Sequence, residues 1–279
     1  MKSRRARLGS RVVPALDGRG IRWLGSLLRS VRLTVEGRGV HVVRRRRGVL
    51  TYRYPGGIVT VRGMAGPDQL HAETTDAFLW GYRPSAGDVV VDCGAGVGTE
   101  LLTFCRLVGP SGLVVAVEAH PGSYARLRLF VELNDLRNVV TVHAAVSDRA
   151  GTVTISDLPN EQANTIVAVP GPGLEVPADT LDGILGRAGV ERVDLLKMNI
   201  EGAEGRALTA FAASGGLGRV RHAVVACHDF AGGEMQTLGS VRRVLEDAGF
   251  DVRMRDDPRR WIASYVYASL RSAGASLAP

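Results

Sequence analysis

From residue 88 to residue 146, short apolar runs alternate with stripes of helical spacing. VVVDCG (89–94) has the length of a strand, and TELLTFCRLV (99–108) follows with apolar residues at 101, 102, 104, 107 and 108. Apolar positions three and four apart share one helix face, so the pair predicts a buried strand and an amphipathic helix. The alternation repeats with LVVAVEA (113–119) as strand, PGSYARLRLFVELN (121–134) as a helix opened by Pro121, and NVVTVHAAV (138–146) as a third strand. Such a chain builds an open, mostly parallel sheet through right-handed crossovers.

The rhythm then breaks. GTVTIS (151–156) predicts an edge strand. Residues 157–177 are polar, with Gly and Pro at 170–173, and read as an irregular lid or substrate loop. ADTLDGILGRAG (178–189) returns to a helix, VDLLKMNIEG (193–202) is the fourth core strand and its exit, and EGRALTAFAAS (204–214) is helical. VRHAVVACHDF (220–230) is the fifth strand, a helix lies within 232–250, and 250–256 with 261–270 predicts a closing hairpin around Pro258.

Before this domain the pattern is different. IRWLGSLLRSV (21–31) predicts a short amphipathic helix after a flexible start. VRLTVEG, VHVVRR, GVLTYRYP and GIVTVRG, within 31–63, predict a small antiparallel meander. Residues 71–87 read as a short helix and turn, with Trp80 and Tyr82 either covering the glycine turn or filling a packing seam. The chain therefore divides into a β-rich extension over 1–70 and a main α/β domain over 71–279.

Charge sharpens that division. The net charge is +7, yet residues 1–62 hold sixteen Lys or Arg against only Asp17 and Glu36, which is +14. The remainder must carry −7, so the basic character is local. Arg44–Arg47 is its peak, readable as a solvated strand end or as a contact for nucleic acid, a membrane surface or another anion. Only Tyr52 and Tyr54 interleave there, which weakens the nucleic-acid reading. No run of eighteen apolar residues predicts a membrane span, and the N-terminus lacks the apolar segment of a signal peptide. The three scattered cysteines, 93, 105 and 227, have no metal-binding spacing and suit a reducing cytoplasm.

The candidate chemistry sits at the strand ends. Gly94, Gly96 and Gly98 follow Asp92 between the first core strand and its helix. A glycine turn in this place brings bare backbone and a helix N-terminus up to a nucleotide-like ligand. The G-x-G-x-G spacing departs from the dinucleotide pattern G-x-G-x-x-G. Glu118 ends the second strand, where a carboxylate can accept both hydroxyls of a ribose or serve as a capping acid. Lys197, Asn199 and Glu201 alternate and share a direction if the fourth strand runs that far. Glu201 and Glu204 also suit a helix N-terminus for its dipole alone. His228 and Asp229 end the fifth strand; a histidine there is either a base of near-neutral pKa or a satisfied structural group. His120 and His143 are weaker candidates. No metal site is predicted.

VVVDCGAGVG (89–98), VVAVEAHPGSYARLRLFVELN (114–134), AAVSDRAG (144–151), TLDGIL (180–185) and DLLKMNIEGAE (194–204) together resemble the FkbM family of class I S-adenosylmethionine-dependent methyltransferases, over roughly residues 72–270. The resemblance implies a Rossmann-like, seven-stranded mostly parallel sheet of order 3-2-1-4-5-7-6, with strand 7 antiparallel. It implies S-adenosyl-L-methionine as cofactor, with Asp92, Gly94, Ala95 and Gly96 around its methionine end. Glu118 and Ala119 would lie at the ribose, and Ser147 and Asp148 near the adenine. It also implies O-methylation of a hydroxyl on a small molecule, sugar or glycan. The proton would go to His228 first or Glu201 second, and Asn199 stands where the family commonly has Asp. An amide there can hold a hydroxyl but is a poor base.

Rival readings follow from particular features. Asn199 is the best support for a non-catalytic cofactor-binding or interaction protein. The basic extension supports a nucleic-acid acceptor, although no N/D-P-P-Y/F motif is present. A nicotinamide oxidoreductase would need another turn and a Tyr-Lys pair. An exposed meander would allow a homodimer.

Overall fold

The computed structural model describes residues 27–28, 30–31, 34, 42–46, 49–54, 57–60, 76–158, 164–167, 173–229 and 236–271. The chain divides into two compact units, Met1–Glu73 and Thr74–Pro279.

The first unit contains strands β1 (Val42–Arg46), β2 (Val49–Tyr54) and β3 (Gly57–Thr60), paired antiparallel in that order. The expected meander has these three strands; of its expected first segment, 31–37, only Val31 and Thr34 are among the described residues, and both are helical. Most of the expected helix over 21–31 and the flexible start lie outside the described residues.

The second unit is built on one sheet. β4 (Val89–Cys93), β5 (Leu113–Glu118), β6 (Val139–His143), β10 (Val193–Met198), β11 (Val220–Ala226), β12 (Phe250–Met254) and β13 (Tyr265–Leu270) lie in the order β6-β5-β4-β10-β11-β13-β12. Counted along the chain within this sheet, that is 3-2-1-4-5-7-6. β13 runs antiparallel to both β11 and β12, whereas β6, β5, β4, β10 and β11 are mutually parallel. This is the class I methyltransferase topology, with helices of the crossovers covering the faces.

The central strands explain the uninterrupted apolar runs. β10 is buried along its whole length, and β4 and β5 along all but their first residue. A strand covered on both faces has no polar side to alternate with. Helix α1 (Leu101–Val108) buries Leu101, Leu102, Phe104, Cys105 and Val108. Helix α4 (Glu204–Ala213) buries Ala207, Leu208 and Phe211, and α5 (Leu238–Asp247) buries Val241 and Leu245. Each such Leu or Phe contributes about 1.5–3 kcal/mol. Helix α2 (Pro121–Leu133) starts where Pro121 supplies a suitable φ and His120 Nδ1 accepts from the Ser123 N–H at 3.4 Å.

Three expectations fail in instructive ways. The third strand is cut at Ala144, whose N–H donates to Glu118 O, so the chain leaves the main sheet there. Ala145–Val146 becomes β7 of a separate sheet of order β7-β9-β8, with β8 at Gly151–Ser156. The expected loop over 157–177 is partly strand: β9 spans Gly173–Asp179, antiparallel to β8 and parallel to β7. It consumes the start of the expected helix, so α3 runs only Leu181–Arg187, with Thr180 Oγ1 accepting from Gly183 N–H at 3.1 Å. Lastly, the hairpin connection around Pro258 carries a short helix, α6 (Arg260–Ala263).

Candidate active site

Strands β4, β5, β10 and β11 end together at one edge of the sheet, and the candidate residues follow those ends. At the turn after β4, Gly94 has φ +77° and Gly96 φ +56°. The N–H groups of Gly94 and Ala95 both donate to Val117 O at 2.9 Å, which ties the turn to β5. A Cβ at Gly94 would lie 1.9 Å from the Asn199 carbonyl oxygen. Only glycine lets the exits of β4 and β10 approach so closely. A Cβ at Gly96 would meet nothing within 4 Å, so that face of the turn is open.

Register places Lys197 of β10 beside Asp92 of β4. Both are buried, and Lys197 Nζ sits 2.7 Å from Asp92 Oδ1. The ammonium also donates to Gly94 O at 2.9 Å and lies 5.0 Å from the centre of the Phe78 ring. Burial pushes the Asp92 carboxyl up and works against the Lys197 ammonium; the Asp92 charge overrides that for Lys197 and raises it. Asp92 thus ties the turn down through a buried ion pair and not by accepting backbone N–H bonds.

Glu118 ends β5 with one oxygen accepting from Gly96 N–H at 2.8 Å and the other from His120 N–H at 2.8 Å. Burial raises its pKa against those two bonds. Each oxygen keeps a second lone pair. Ala119 O bonds His143 Nε2 at 3.1 Å, and His143 stacks on Tyr124, which gives His143 a structural place. His120 Nε2 pairs with Asp157 at 3.2 Å. Ser147 follows β7, donates its N–H to Asp179 O at 2.9 Å and its hydroxyl to Asp148 at 3.0 Å. That bond chiefly lowers the pKa of the exposed Asp148.

The exit of β10 departs from expectation. The strand stops at Met198, and Asn199 N–H donates to Cys93 O at 3.0 Å. Lys197, Asn199 and Glu201 do not share a strand face, because Glu201 turns left-handed with φ +52°. Glu204, fully buried, accepts from the N–H groups of Ile200 and Gly202 and so closes this turn.

His228 lies between two acids. Its Nε2 is 3.2 Å from Glu201 Oε2, and its Nδ1 is 3.1 Å from Glu204 Oε1. Burial works against the imidazolium, but the hydrogen bonds and charges of Glu201 and Glu204 prevail and push its pKa up to about 10. The expected base is therefore an imidazolium near neutrality, with both nitrogens donating and no lone pair to take a proton. The unfolded imidazole loses its proton near 6.5, whereas the native one keeps it to about 10. Between these values the native state binds more protons, so stability falls as pH rises, by up to about 1.4 kcal/mol per unit. Urea unfolding at pH 7, 8 and 9 should show this slope, and His228→Gln should flatten it. An equal slope in both proteins would mean that His228 is not held charged.

Tyr82 is not near the turn. Its ring stacks on His222 at 3.8 Å and its hydroxyl donates to Asp88, at the opposite end of the strands. Trp80 packs edge-on against Tyr267. Instead, Phe78 stacks on Tyr265 at 5.3 Å beside Lys197. The sequence places Lys197 in line with Asn199 and Glu201 but gives it no partner, although a lysine within the apolar run DLLKMN requires a buried anion, which the register supplies as Asp92. Phe78, Tyr265 and Asp157 carried no signal at all.

A profile of the Methyltransferase FkbM domain matches residues 92–252, more than half of the chain. The chain belongs to the FkbM methyltransferase family. It is 29% identical over 249 residues to 31-O-demethyl-FK506 methyltransferase FkbM of Streptomyces tacrolimicus, covering 75% of this chain and 92% of that protein. Among solved structures, an FkbM methyltransferase from Methylobacillus flagellatus KT is 16% identical with a TM-score of 0.48, covering 72% of this chain and 50% of that one. Fibrillarin from Aeropyrum pernix, with bound S-adenosyl-L-methionine, is 16% identical with a TM-score of 0.46, covering 83% of this chain and all of that one.

This methyltransferase uses S-adenosyl-L-methionine, and the residues present fit it. The face over Gly96 is bare, and Asp92 Oδ2 is buried without a hydrogen-bond partner among the described residues. Among those residues no cluster of three His, Cys, Asp or Glu is placed to hold a metal ion, and no helix is long and apolar enough to cross a membrane.

Proposed function

We propose that this FkbM methyltransferase methylates a hydroxyl oxygen of a small molecule, sugar or glycan, and that Glu201 accepts the proton. One observation carries the assignment: both ring nitrogens of His228 are taken by carboxylates, Nε2 by Glu201 at 3.2 Å and Nδ1 by Glu204 at 3.1 Å. Glu204 is fully buried and spent on backbone N–H groups, whereas the Glu201 side chain keeps 19% exposure. Its Oε2 faces His228, and Oε1 makes no ion pair among the described residues. An alcohol gains acidity as its oxygen attacks, so a carboxylate held in place suffices as acceptor.

The bound cofactor supplies an electrophilic methyl group on a sulfonium. Asp92, Gly94, Ala95 and Gly96 would hold its amino-acid end. Glu118 would accept from the ribose hydroxyls with its remaining lone pairs, beside Ala119. Ser147 and Asp148 would border the base. Asn199 contributes a neutral amide able to orient a hydroxyl. The Streptomyces relative, named for an O-demethyl acceptor, supports an oxygen nucleophile. The three cysteines are free and buried, which supports a reducing cytoplasm as the compartment.

Transfer from radiolabelled cofactor to a panel of polyketide alcohols, sugars and RNA is the test. Product on an oxygen of an alcohol is expected, and Glu201→Gln should lower kcat about 10²–10⁴-fold with cofactor affinity unchanged. Product on RNA alone would replace this reading by a nucleic-acid one.

A further inference from the structure

We infer that Thr165 is a positioning residue for Glu201: its hydroxyl holds the Glu201 carbonyl, fixing the left-handed turn that aims the carboxylate at His228. The inference rests on the reading of Glu201 given above.

Glu201 and Asp135 are the non-glycine residues with positive φ among those described. Such a conformation costs an L-residue on the order of 1 kcal/mol and persists where the surroundings fix it. Glu201 is fixed from three sides. Glu204 takes the N–H groups of Ile200 and Gly202. His228 takes the carboxylate. Thr165 Oγ1 donates to Glu201 O at 2.6 Å.

Thr165 is itself well held. It is 6% exposed, its Oγ1 accepts from Val167 N–H at 2.9 Å, and of the two carbonyls within reach of its one hydroxyl proton, Glu201 O at 2.6 Å is much nearer than Val167 O at 3.3 Å. Its backbone is clipped to the end of β8: Ser156 N–H donates to Thr165 O at 3.0 Å, and Thr165 N–H donates to Ser156 Oγ at 2.9 Å. Asn164 Oδ1 accepts from Leu158 N–H at 2.8 Å and closes the same loop. The next residue after Ser156 is Asp157, which pairs with His120 beside Glu118. One excursion of the β7-β9-β8 sheet thus supports both the ribose-side acid and the proton acceptor. Thr165 needs no contact with substrate to matter; a carboxylate displaced by about 1 Å loses much of its advantage.

The readout is the titration of the His228 imidazole by NMR, which requires no acceptor. Glu201 and Glu204 are the charges that face His228. The proteins are wild type, Thr165→Val, Thr165→Ser and Glu201→Gln. Loss of the hydroxyl in Thr165→Val should free the Glu201 carboxylate and lower the midpoint by about one unit or more. Thr165→Ser should restore it. Adding Thr165→Val to Glu201→Gln should change nothing further. A merely structural threonine would alter the melting temperature and leave the midpoint in place, and that result overturns the inference. If Glu201→Gln itself leaves the midpoint unmoved, the pairing of Glu201 with His228 fails, and with it the reading of Glu201, whatever Thr165 does. If the valine variant does not fold, Thr165→Ala poses the same question.

Discussion

Replacing Lys197 with methionine is expected to cost about 3–5 kcal/mol of stability, the usual penalty for leaving one member of a buried ion pair alone. Methionine matches the length and flexibility of the lysine stem, so little of the loss comes from packing. The cost arises at Asp92, which is fully buried and has Lys197 Nζ at 2.7 Å as its ion-pair partner. The Gly94 carbonyl loses its donor as well. Some of the penalty will be evaded by protonation of Asp92, so the variant should be most damaged at high pH. Urea unfolding measures the loss. A double variant carrying Asp92→Asn should recover a large part of it, because the stranded charge is then gone. A loss below about 1 kcal/mol in the single variant would mean that the pair is not desolvated as the structure has it.

Two alanine substitutions in the same turn should have opposite signatures. At Gly94 an added Cβ meets the Asn199 carbonyl oxygen at 1.9 Å, a backbone atom that cannot swing away. The exits of β4 and β10 must separate, and the φ of +77° adds strain. Together these cost about 2–4 kcal/mol, and both stability and cofactor binding should suffer. At Gly96 the Cβ meets nothing within 4 Å, and only the φ of +56° is unfavourable. That variant should fold with a loss of about 1 kcal/mol. Its methyl group, however, fills the bare face proposed above for the cofactor, so affinity for S-adenosyl-L-methionine should fall at least about tenfold, or 1.4 kcal/mol. Calorimetric titration and thermal melts of both variants separate the two effects. Unchanged binding by Gly96→Ala would show that the open face of the turn is not the cofactor's seat.

These expectations differ in how far they could have been written without a structure. The fold was legible because periodicity reports burial. VVVDCG, LVVAVEA and VDLLKMN are apolar without alternation, and strands covered on both faces must be so. The glycine turn was legible because positive φ and close approach select glycine, whatever lies above. The ordering of strands came from family resemblance, and the hydrogen-bond ladder bears it out.

Where the chain reads ambiguously, tertiary pairing decided. Residues 173–179 look like a polar loop with Pro177 in it, yet they form β9 because β7 and β8 offer edges on both sides. The Ala144 break arises from a bond to Glu118 O that lies twenty-six residues back in the sequence. No local pattern encodes such a partner.

The site divides in the same way. The sequence by itself determined that acids and a histidine gather at the ends of the parallel strands, because topology sends every strand end to one edge. It did not determine their charge states. His228 has the composition of a base and becomes an imidazolium because two carboxylates converge on it, one of them from a turn whose backbone is left-handed. Lys197 finds Asp92 only through the register of β10 on β4. Thr165 reaches Glu201 only because its loop folds back on Ser156. Protonation and aim depend on neighbours within about 4 Å, and those neighbours are set by contacts between segments far apart in the chain.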